Sequence, residues 1–326
     1  MIASPYLDML DQLLRSGMVG LSAAFVDTQV RFVVGCQQAD GGFRGRQGGS
    51  DFYYTDFAVR TLALLAPEHA TFGRAAGYIA HPPRPPRGTI ECFNVLNSRR
   101  LLARRSAIVA RGVSASDSLG DPARADQSAW TFDPSPWIDQ LRGRLLPRGG
   151  LARSVGDQRT SAYHTLLGEL CFQMLGVEMP MAGHAIGAIE TLKQPDGGFA
   201  ELAGQTASQT SATAAAMAFL MIHDAISPAQ NAETAQFLAC MQSADGGLKA
   251  HAAVESGDLL STFTGLLTLS ALGGLHLIDL ASVAQFLRNV AHPGGGFIAC
   301  ADDNTADVEY TYYGIGTLAL LRGVQV

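Results

Sequence analysis

Six short glycine signals recur along the chain at nearly regular intervals. They lie at Asp40–Phe43, Arg87–Gly88, Arg148–Leu151, Asp196–Phe199, Asp245–Leu248 and Gly294–Phe297. Four of the five steps between their last glycines are 46 to 49 residues long, and the remaining step is 62 residues. A period of about 50 residues is too long for one helix or strand and fits one supersecondary unit per repeat. The chain is therefore expected to be an array of similar units.

Each repeat carries a helical pattern on both sides of its glycine signal. Before the signal, segments such as 231–242 and 280–290 place apolar residues at i, i+3 and i+4. After the signal comes a smoother segment rich in Ala, Thr, Leu and Gly. The smoother segments are Thr55–Leu65, Ser161–Met174, Thr210–Ile222, Ser261–Leu272 and Thr311–Leu321. Glycine supplies the positive-φ residues that end the first helix. Six such hairpins, with the smoother helices inside, predict an all-α fold, an (α/α)6 toroid built as a double ring.

The composition agrees with one large domain. The repeats run through residues 1–326 without a linker, and 47% of the residues are apolar while 16% are charged. The net charge of -6 excludes a typical nucleic-acid-binding surface, because such a surface needs a basic stripe. The longest apolar run, at about 212–222, is too short for a transmembrane segment.

The cysteines and the first residues favour a cytoplasmic protein. The five cysteines are scattered and lack CxxC spacing, which is typical of reduced thiols. Residues 1–20 contain two Asp and no basic region before an apolar segment, so a secretion signal is not expected.

One segment interrupts the repeats. An irregular insertion at about 105–137 contains several Pro, Asp and Ser, and its alternatives are a lid, a partner contact or a disordered loop. A basic cluster precedes it, with Arg99 and Arg100 followed by Arg104 and Arg105. We interpret this cluster as a solvated helix face rather than a phosphate site.

The glycine phrases carry a family resemblance. QQADGGF, KQPDGGF and MQSADGGL, at this spacing and in six hairpins, resemble the protein prenyltransferase β subunits. They are similar, more distantly, to the squalene-hopene and class II terpene cyclases. The resemblance covers nearly the whole chain. It implies a toroid whose inner helices begin at one rim of a deep apolar funnel, with catalytic groups at those helix starts.

The zinc residues that the resemblance implies are not retained. The family holds zinc through Asp-x-Cys at one inner helix and the His of Asp-x-x-His-Thr at the last. Here the first motif aligns with Asp258 and Leu260, and the second aligns with Asp307 and Tyr310. One carboxylate does not make a zinc site, since such a site needs three protein ligands with S or N donors. We expect no zinc, while Mg²⁺ held by carboxylates such as Asp303 and Asp307 stays an alternative.

The diphosphate pocket of the prenyltransferases is also altered. Ala252 and Glu255 stand where the family has basic residues, and Gln209 stands where it has a His. Diphosphate needs charge-assisted donors, so zinc-dependent protein prenylation is not expected. The segment 157–163, which contains Arg159 and Tyr163, still resembles the family's Asp-Val-Arg-Ser-Ala-Tyr. Other basic residues that could bind a relocated diphosphate are Lys249, His251 and Arg159.

The proton-donating motif of class II cyclases, Asp-x-Asp-Asp, does not occur. The nearest phrase is the acidic segment 302–307. Crowded carboxylates raise one another's pKa and can retain a proton. The alternative interpretation of Asp302 and Asp303 is a solvated acidic turn.

An internal match points to one rim of the ring. Residues 51–65 and 307–321 agree at eight of fifteen positions, and they are neighbours in a closed ring of six units. The candidate catalytic residues are Asp307, Tyr310, Asp258, Asp56 and Tyr54. The candidate substrate-binding residues are Asp51, Tyr53, Arg159, Tyr163, His164, Gln209, Phe263, Tyr312 and Tyr313. In the competing interpretation, Asp51 and Asp307 are N-caps and the tyrosines belong to the core.

A Tyr-rich rim beside an apolar funnel suits a hydrophobic, isoprenoid substrate that develops positive charge. The first hypothesis is a zinc-independent terpene cyclase-like enzyme with acid-base chemistry at the rim. The second is a prenyltransferase-like enzyme with a relocated diphosphate site. The third is a non-catalytic protein that binds a hydrophobic ligand or a partner. A homodimer is the expected assembly if no α subunit is present.

Overall fold

The computed structural model describes residues 4–111 and 132–323 and contains thirteen α-helices in those ranges. They are α1 (Pro5–Met18), α2 (Ala23–Gly35), α3 (Phe52–Leu65), α4 (Thr71–Ala80), α5 (Gly88–Arg111), α6 (Ser135–Arg142), α7 (Ala162–Leu175), α8 (Ala182–Glu190), α9 (Thr210–Ile222), α10 (Pro228–Cys240), α11 (Leu259–Ala271), α12 (Leu280–Asn289) and α13 (Val308–Gly323). Two short strands, β1 (Leu151–Ala152) and β2 (Thr160–Ser161), pair antiparallel. A 3₁₀ helix spans Leu275–Leu277. Most of the predicted insertion lies outside the described residues.

Six of the helices form a closed inner ring. In ring order these helices are α3, α5, α7, α9, α11 and α13, and α13 packs against α3 to close the ring. Each of α2, α4, α6, α8, α10 and α12 packs against the inner helix that follows it in the chain. The predicted all-α toroid of six hairpins, with the smoother helices inside, is therefore confirmed. Within the described ranges, no helix is both long and apolar enough to cross a membrane.

The glycine turns join each hairpin to the next one around the ring. Gly246 has φ +94°, and a Cβ there would lie 2.1 Å from the Ser282 carbonyl oxygen on α12. In the last repeat, a Cβ on Gly295 would lie 2.7 Å from the Thr28 carbonyl oxygen on α2. The turn of the sixth unit therefore docks on the outer helix of the first. Glycine is required both for the left-handed backbone and for the close approach of two backbones.

A threonine on the following inner helix anchors each complete turn. Its hydroxyl accepts a hydrogen bond from the backbone N–H of the residue after the glycine pair. The pairs are Phe43 with Thr55, Leu151 with Thr165, Phe199 with Thr213, Leu248 with Thr262, and Phe297 with Thr311, at 2.8 to 3.2 Å. Because both partners are buried, each bond satisfies a donor that water cannot reach.

Replacing Gly246 by Ala is expected to destabilise the fold by about 3 kcal/mol, because it combines a strained φ with overlap on the α12 backbone. Urea denaturation measures this loss. Gly187 lies exposed within α8 and has open space around it, so Gly187→Ala should instead stabilise by about 1 kcal/mol. Equal stabilities of the two variants would contradict the proposed role of the turn.

Helix α1 lies outside the six hairpins and crosses the ring at the ends of the inner helices opposite to the turns. At its start, the Ser4 hydroxyl donates to Gln173 Oε1 at 2.6 Å, close to the end of α7. At its end, Gly17 packs on the backbone of Ala319, and Arg322 donates to the Gly17 carbonyl. Helices α7 and α13 stand opposite each other in the ring, so α1 closes this end of the lumen. The sequence did not predict this plug.

The interpretation of the basic cluster as a solvated face is wrong. Arg100 is only 1% exposed, and its Nη1 lies 2.6 Å from Asp8 Oδ1 and 2.9 Å from Asp11 Oδ2, both on α1. Arg104 also pairs with Asp8, and Arg105 donates to the Pro67 carbonyl at 2.8 Å. Arg100 can be buried because the two carboxylates of α1 pair with it, while Arg99, Arg104 and Arg105 are only partly exposed.

Candidate functional site in the lumen

The rim predicted from the internal match is formed by neighbouring helices. The Tyr53 hydroxyl on α3 donates a hydrogen bond to Glu309 Oε1 on α13 at 2.6 Å. Glu309 is a site residue that the sequence reasoning missed. The signal for it was present, since Glu309 aligns with Tyr53 in the internal match and is the carboxyl in an otherwise aromatic helix start.

Aromatic rings continue inward from this pair. Phe57 lies 4.9 Å from Tyr53 and 5.3 Å from Tyr313, measured between ring centroids. Phe263 on α11 lies 5.7 Å from Tyr312 and 5.6 Å from Tyr313. These edge and tilted contacts give a wall whose ring faces can stabilise positive charge. The structure thus brings together four of the predicted substrate-binding residues, Tyr53, Phe263, Tyr312 and Tyr313.

Tyr163 lies across the lumen from this wall. Its helix, α7, stands opposite α13. Burial raises the pKa of Tyr53 and of Tyr313, and the charge of the Tyr163 phenol raises it further. Burial likewise raises the pKa of Tyr163 to about 12, although its side chain is 38% exposed. Because Tyr163 influences Tyr53 and Tyr313 from the opposite side of the ring, its side chain faces the space inside the ring. Tyr163, Tyr53 and Tyr313 therefore share one lumen.

Glu309 is a carboxyl that titrates near neutral pH. Burial raises its pKa to about 7, and the nearby charge of Asp307 adds to this increase. The hydrogen bond from Tyr53 and the positive charges of Arg46 and Arg60 oppose it. Near pH 7 a large fraction of this carboxyl keeps its proton, which is the state that a general acid requires.

This pKa makes stability depend on pH in a defined direction. The folded state binds a proton on Glu309 more tightly than the unfolded state, so this carboxyl lowers stability as pH rises from about 4.5 to about 7. Glu309→Gln should gain about 2 kcal/mol relative to the unmodified protein across that window, after allowance for solvent screening. Urea denaturation at several pH values measures it. Glu255→Gln, at an exposed rim residue, should show no such trend, and a flat difference for Glu309→Gln would contradict the raised pKa.

Asp307 is engaged in holding the rim together. Its Oδ1 accepts the Tyr310 N–H at 2.9 Å, and its Oδ2 accepts Arg46 Nε at 2.8 Å. Arg46 Nη1 also donates to Asp303 at 3.0 Å, and the guanidinium lies 5.4 Å from the Tyr310 ring centroid. Hydrogen bonds from Ala299, Arg46 and Thr305 outweigh burial and lower the pKa of Asp303. Asp303 is therefore an ion-paired residue, not a solvated one.

The other two rim aspartates are helix caps. Asp51 accepts the Tyr54 N–H at 2.7 Å, while Asp258 accepts the Ser261 N–H at 2.8 Å and the Ser261 hydroxyl at 2.7 Å. The capping interpretation of Asp51 and Asp307 is thus confirmed. Burial raises the pKa of both Asp51 and Asp258 in spite of these bonds.

The residues at the family's zinc positions do not fit that metal. Both carboxylate oxygens of Asp258 are used by Ser261, and Leu260 and Tyr310 provide neither thiolate nor imidazole. Among residues 4–111 and 132–323, no group of three or more His, Cys, Asp and Glu side chains could hold a metal ion.

Asp56 and Tyr54, predicted as catalytic, occupy different surroundings. Asp56 is fully buried, accepts Asn97 Nδ2 at 2.9 Å and Ser98 Oγ at 3.1 Å, and pairs with Arg60. Tyr54 lies against Gly45, where a Cβ would come within 2.3 Å of its ring. Their catalytic roles stay predictions.

The remaining predicted residues lie around the starts of α7 and α9. Arg159 is exposed and pairs with Asp157 at 3.1 Å. Gln209 precedes α9 without a side-chain capping bond. His164 Nδ1 lies 3.0 Å from the Ser161 hydroxyl, and burial lowers its pKa to about 4, so its imidazole is neutral at pH 7. These residues do not join the pair of Tyr53 and Glu309.

Solved structures similar to this one share its fold at low sequence identity. Protein geranylgeranyltransferase-I from Candida albicans, complexed with GGPP, is 14% identical over 90% of each chain, with a TM-score of 0.67. A type II terpene cyclase from Scytonema is 13% identical over 97% of this chain and 99% of that one, with a TM-score of 0.59. The GH76A alpha-1,6-mannanase from Salegentibacter sp. is 11% identical over 91% and 98%, with a TM-score of 0.61. These likenesses establish the toroid and not the chemistry, since one fold supports several reactions.

Sequence comparison identifies the family of the chain. No curated protein gives a significant match. The sequence profile of the prenyltransferase alpha-alpha toroid domain family, however, matches residues 7–90 and 157–326, which is more than half of the chain. Together with the closed ring of six hairpins, this match shows that the chain belongs to the prenyltransferase alpha-alpha toroid domain family.

Proposed function

We propose that this protein is an isoprenoid-converting enzyme that starts its reaction by protonating the substrate. The supporting observation is Glu309, a carboxyl with a pKa of about 7 placed against an aromatic lumen. It would donate its proton to an alkene or epoxide, leaving a carboxylate on the protein and a carbocation on the substrate. A later loss of a proton from the substrate, or addition of water followed by loss of a proton from that water, would discharge the cation.

Tyr53 is the positioning residue for this acid. Its hydroxyl holds Oε1 of Glu309, and in this proposal Oε2 carries the proton. Phe57, Phe263 and Tyr313 line the path inward, where their ring faces would stabilise the cation and keep water away.

The rim residues would close the mouth of the site. Arg46 ties Asp303 to Asp307 and lies over Tyr310, so in this proposal Asp307 supports the rim and Glu309 supplies the proton. The related enzymes offer a precedent for the substrate class, since the structures similar to this one include complexes with GGPP and with geranylgeranyl dihydroxybenzoate.

Product analysis by mass spectrometry tests the proposal. Purified protein is incubated with isoprenoids that carry or lack a diphosphate, first in chelator and then in Mg²⁺. A cyclised or isomerised product formed in chelator from a substrate without diphosphate would support it. Products that have lost diphosphate only in Mg²⁺ would favour a prenyltransferase-like reaction, and binding without any product would favour a ligand-binding role; either result would overturn the proposal.

A further inference from the structure

Arg60 lies on the lumen-facing stripe of α3, deeper than the proposed acid. Tyr53, Phe57 and Arg60 follow one another at i, i+4 and i+7, which places them on one face of the helix. Seven residues of α-helix correspond to about 10 Å along the axis. The guanidinium is thus about two turns below the pair of Tyr53 and Glu309.

The surrounding residues hold Arg60 from behind and from the sides. Asp56, fully buried, forms the ion pair behind it and is itself fixed by Asn97 and Ser98. The rings of Phe57, Phe93 and Tyr312 lie 4.9, 5.1 and 5.4 Å from the guanidinium carbon. These contacts keep a cation in a lumen that is otherwise aromatic.

One hydrogen-bond donor of the Arg60 guanidinium is unused. Its Nε is buried and has no hydrogen-bond partner in the described part of the protein. The rings and Asp56 cover most of the side chain, and 16% of it stays exposed. A buried donor without an acceptor is costly, so the guanidinium is held here at an energetic cost. The exposed part of the same side chain is where a ligand could supply an acceptor oxygen to this cation.

The closed end of the ring lies just beyond this position. Asp11 on α1 and its partner Arg100 are close enough to influence the pKa of Tyr312, whose ring contacts Arg60. A chain that enters at the rim therefore reaches Arg60 before it reaches the α1 plug. The lumen has an acid near its mouth and a cation at its floor.

We propose that Arg60 binds a carboxylate at the end of the substrate that lies deepest in the lumen. The substrate would then be an isoprenoid carboxylic acid, with the alkene to be protonated at the opposite end, beside Glu309. A planar carboxylate matches the fork of a guanidinium. A diphosphate fits less well, because Arg60 is a single cation with a carboxylate directly behind it. The isoprenoid part of this inference rests on the proposed function, while the carboxylate subsite does not.

Isothermal titration calorimetry tests the subsite without any turnover. Farnesoic and geranylgeranoic acids are compared with the matching alcohols at about pH 6.5, where a simple carboxylic acid is ionised and Glu309 is mostly protonated. The protein should bind each acid about tenfold or more tightly than its alcohol, as expected for a charge-assisted hydrogen bond. Asp56→Asn/Arg60→Met, which removes both charges together, should abolish this preference by weakening the binding of the acids far more than that of the alcohols.

The controls separate the subsite from folding and from catalysis. Arg84→Met removes an arginine that also lies over a ring, Phe52, at 5.3 Å, but at the surface, and should keep the preference. Arg60→Lys should keep part of it. Equal binding of acid and alcohol by the unmodified protein, or a preference that survives in the double variant, would overturn the subsite even if turnover depends on Glu309. Selective binding of the acid without turnover would support the subsite while the proposed function fails.

Discussion

Replacing Glu309 by Gln is expected to lower turnover by about 10²- to 10⁴-fold, the range typical of losing a positioned general acid. Gln can still accept the Tyr53 hydroxyl bond, so the wall between α3 and α13 should remain intact. What the variant lacks is the transferable proton. Product formation measured by mass spectrometry, with the far-UV circular dichroism spectrum as a check on folding, records this effect.

The pH dependence of turnover distinguishes the acid from a structural residue. Because the protonated form is active, turnover should fall as pH rises through about 7, the pKa of Glu309. Tyr53→Phe removes a hydrogen bond that lowers this pKa, so its profile should move to higher pH. Glu255→Gln, the exposed control, should leave both rate and profile unchanged. A Glu309→Gln variant with normal turnover would exclude this carboxyl as the proton donor.

Replacing Arg100 by Ala is expected to destabilise the protein by about 3 kcal/mol, because it removes a buried guanidinium and leaves only Arg104 to pair with Asp8 and Asp11. Arg100 binds Asp8 and Asp11 of α1 and donates to Asn97 Oδ1 at 2.9 Å. Its loss would remove one of the contacts that hold α1 at the closed end of the ring, while the Arg104 pair with Asp8 would remain. Urea denaturation gives the change in free energy of unfolding.

An arginine at the surface provides the matched comparison. Arg84 pairs with Glu91 at 2.6 Å, but its side chain is 43% exposed. Arg84→Ala should therefore cost less than about 1 kcal/mol. If the Arg100 variant were no less stable than the Arg84 variant, the buried network would not be what fixes α1.

The ring could be predicted because its determinants repeat. Gly246 and Thr262 belong to a pattern that returns in other units, and each copy reports the same turn and the same anchoring bond. The internal match of residues 51–65 with 307–321 also placed α3 beside α13 before any contact was known. Periodic residues of this kind reveal a fold because the same local geometry is required several times.

The plug and the acid depend on contacts that occur once. From the sequence, Arg100 is expected to be a surface cation. In the structure it is paired with two carboxylates of α1, which lies more than eighty residues earlier in the chain. Glu309 is paired with Tyr53 from the far end of the sequence, and Asp307 with Arg46. The sequence predicted that α3 and α13 are neighbours and offered Asp307 among its catalytic candidates. It could not show that Arg46 pairs with Asp307, or that burial raises the pKa of Glu309.

Running the reaction in D₂O and measuring deuterium in the product by mass spectrometry tests whether the substrate is protonated at carbon. The proton of Glu309 exchanges with solvent between turnovers, so the product should carry one deuterium bound to carbon, and that product should be lost in Glu309→Gln. A product that forms without deuterium on carbon would contradict this mechanism, because the reaction would then begin without proton transfer from the protein.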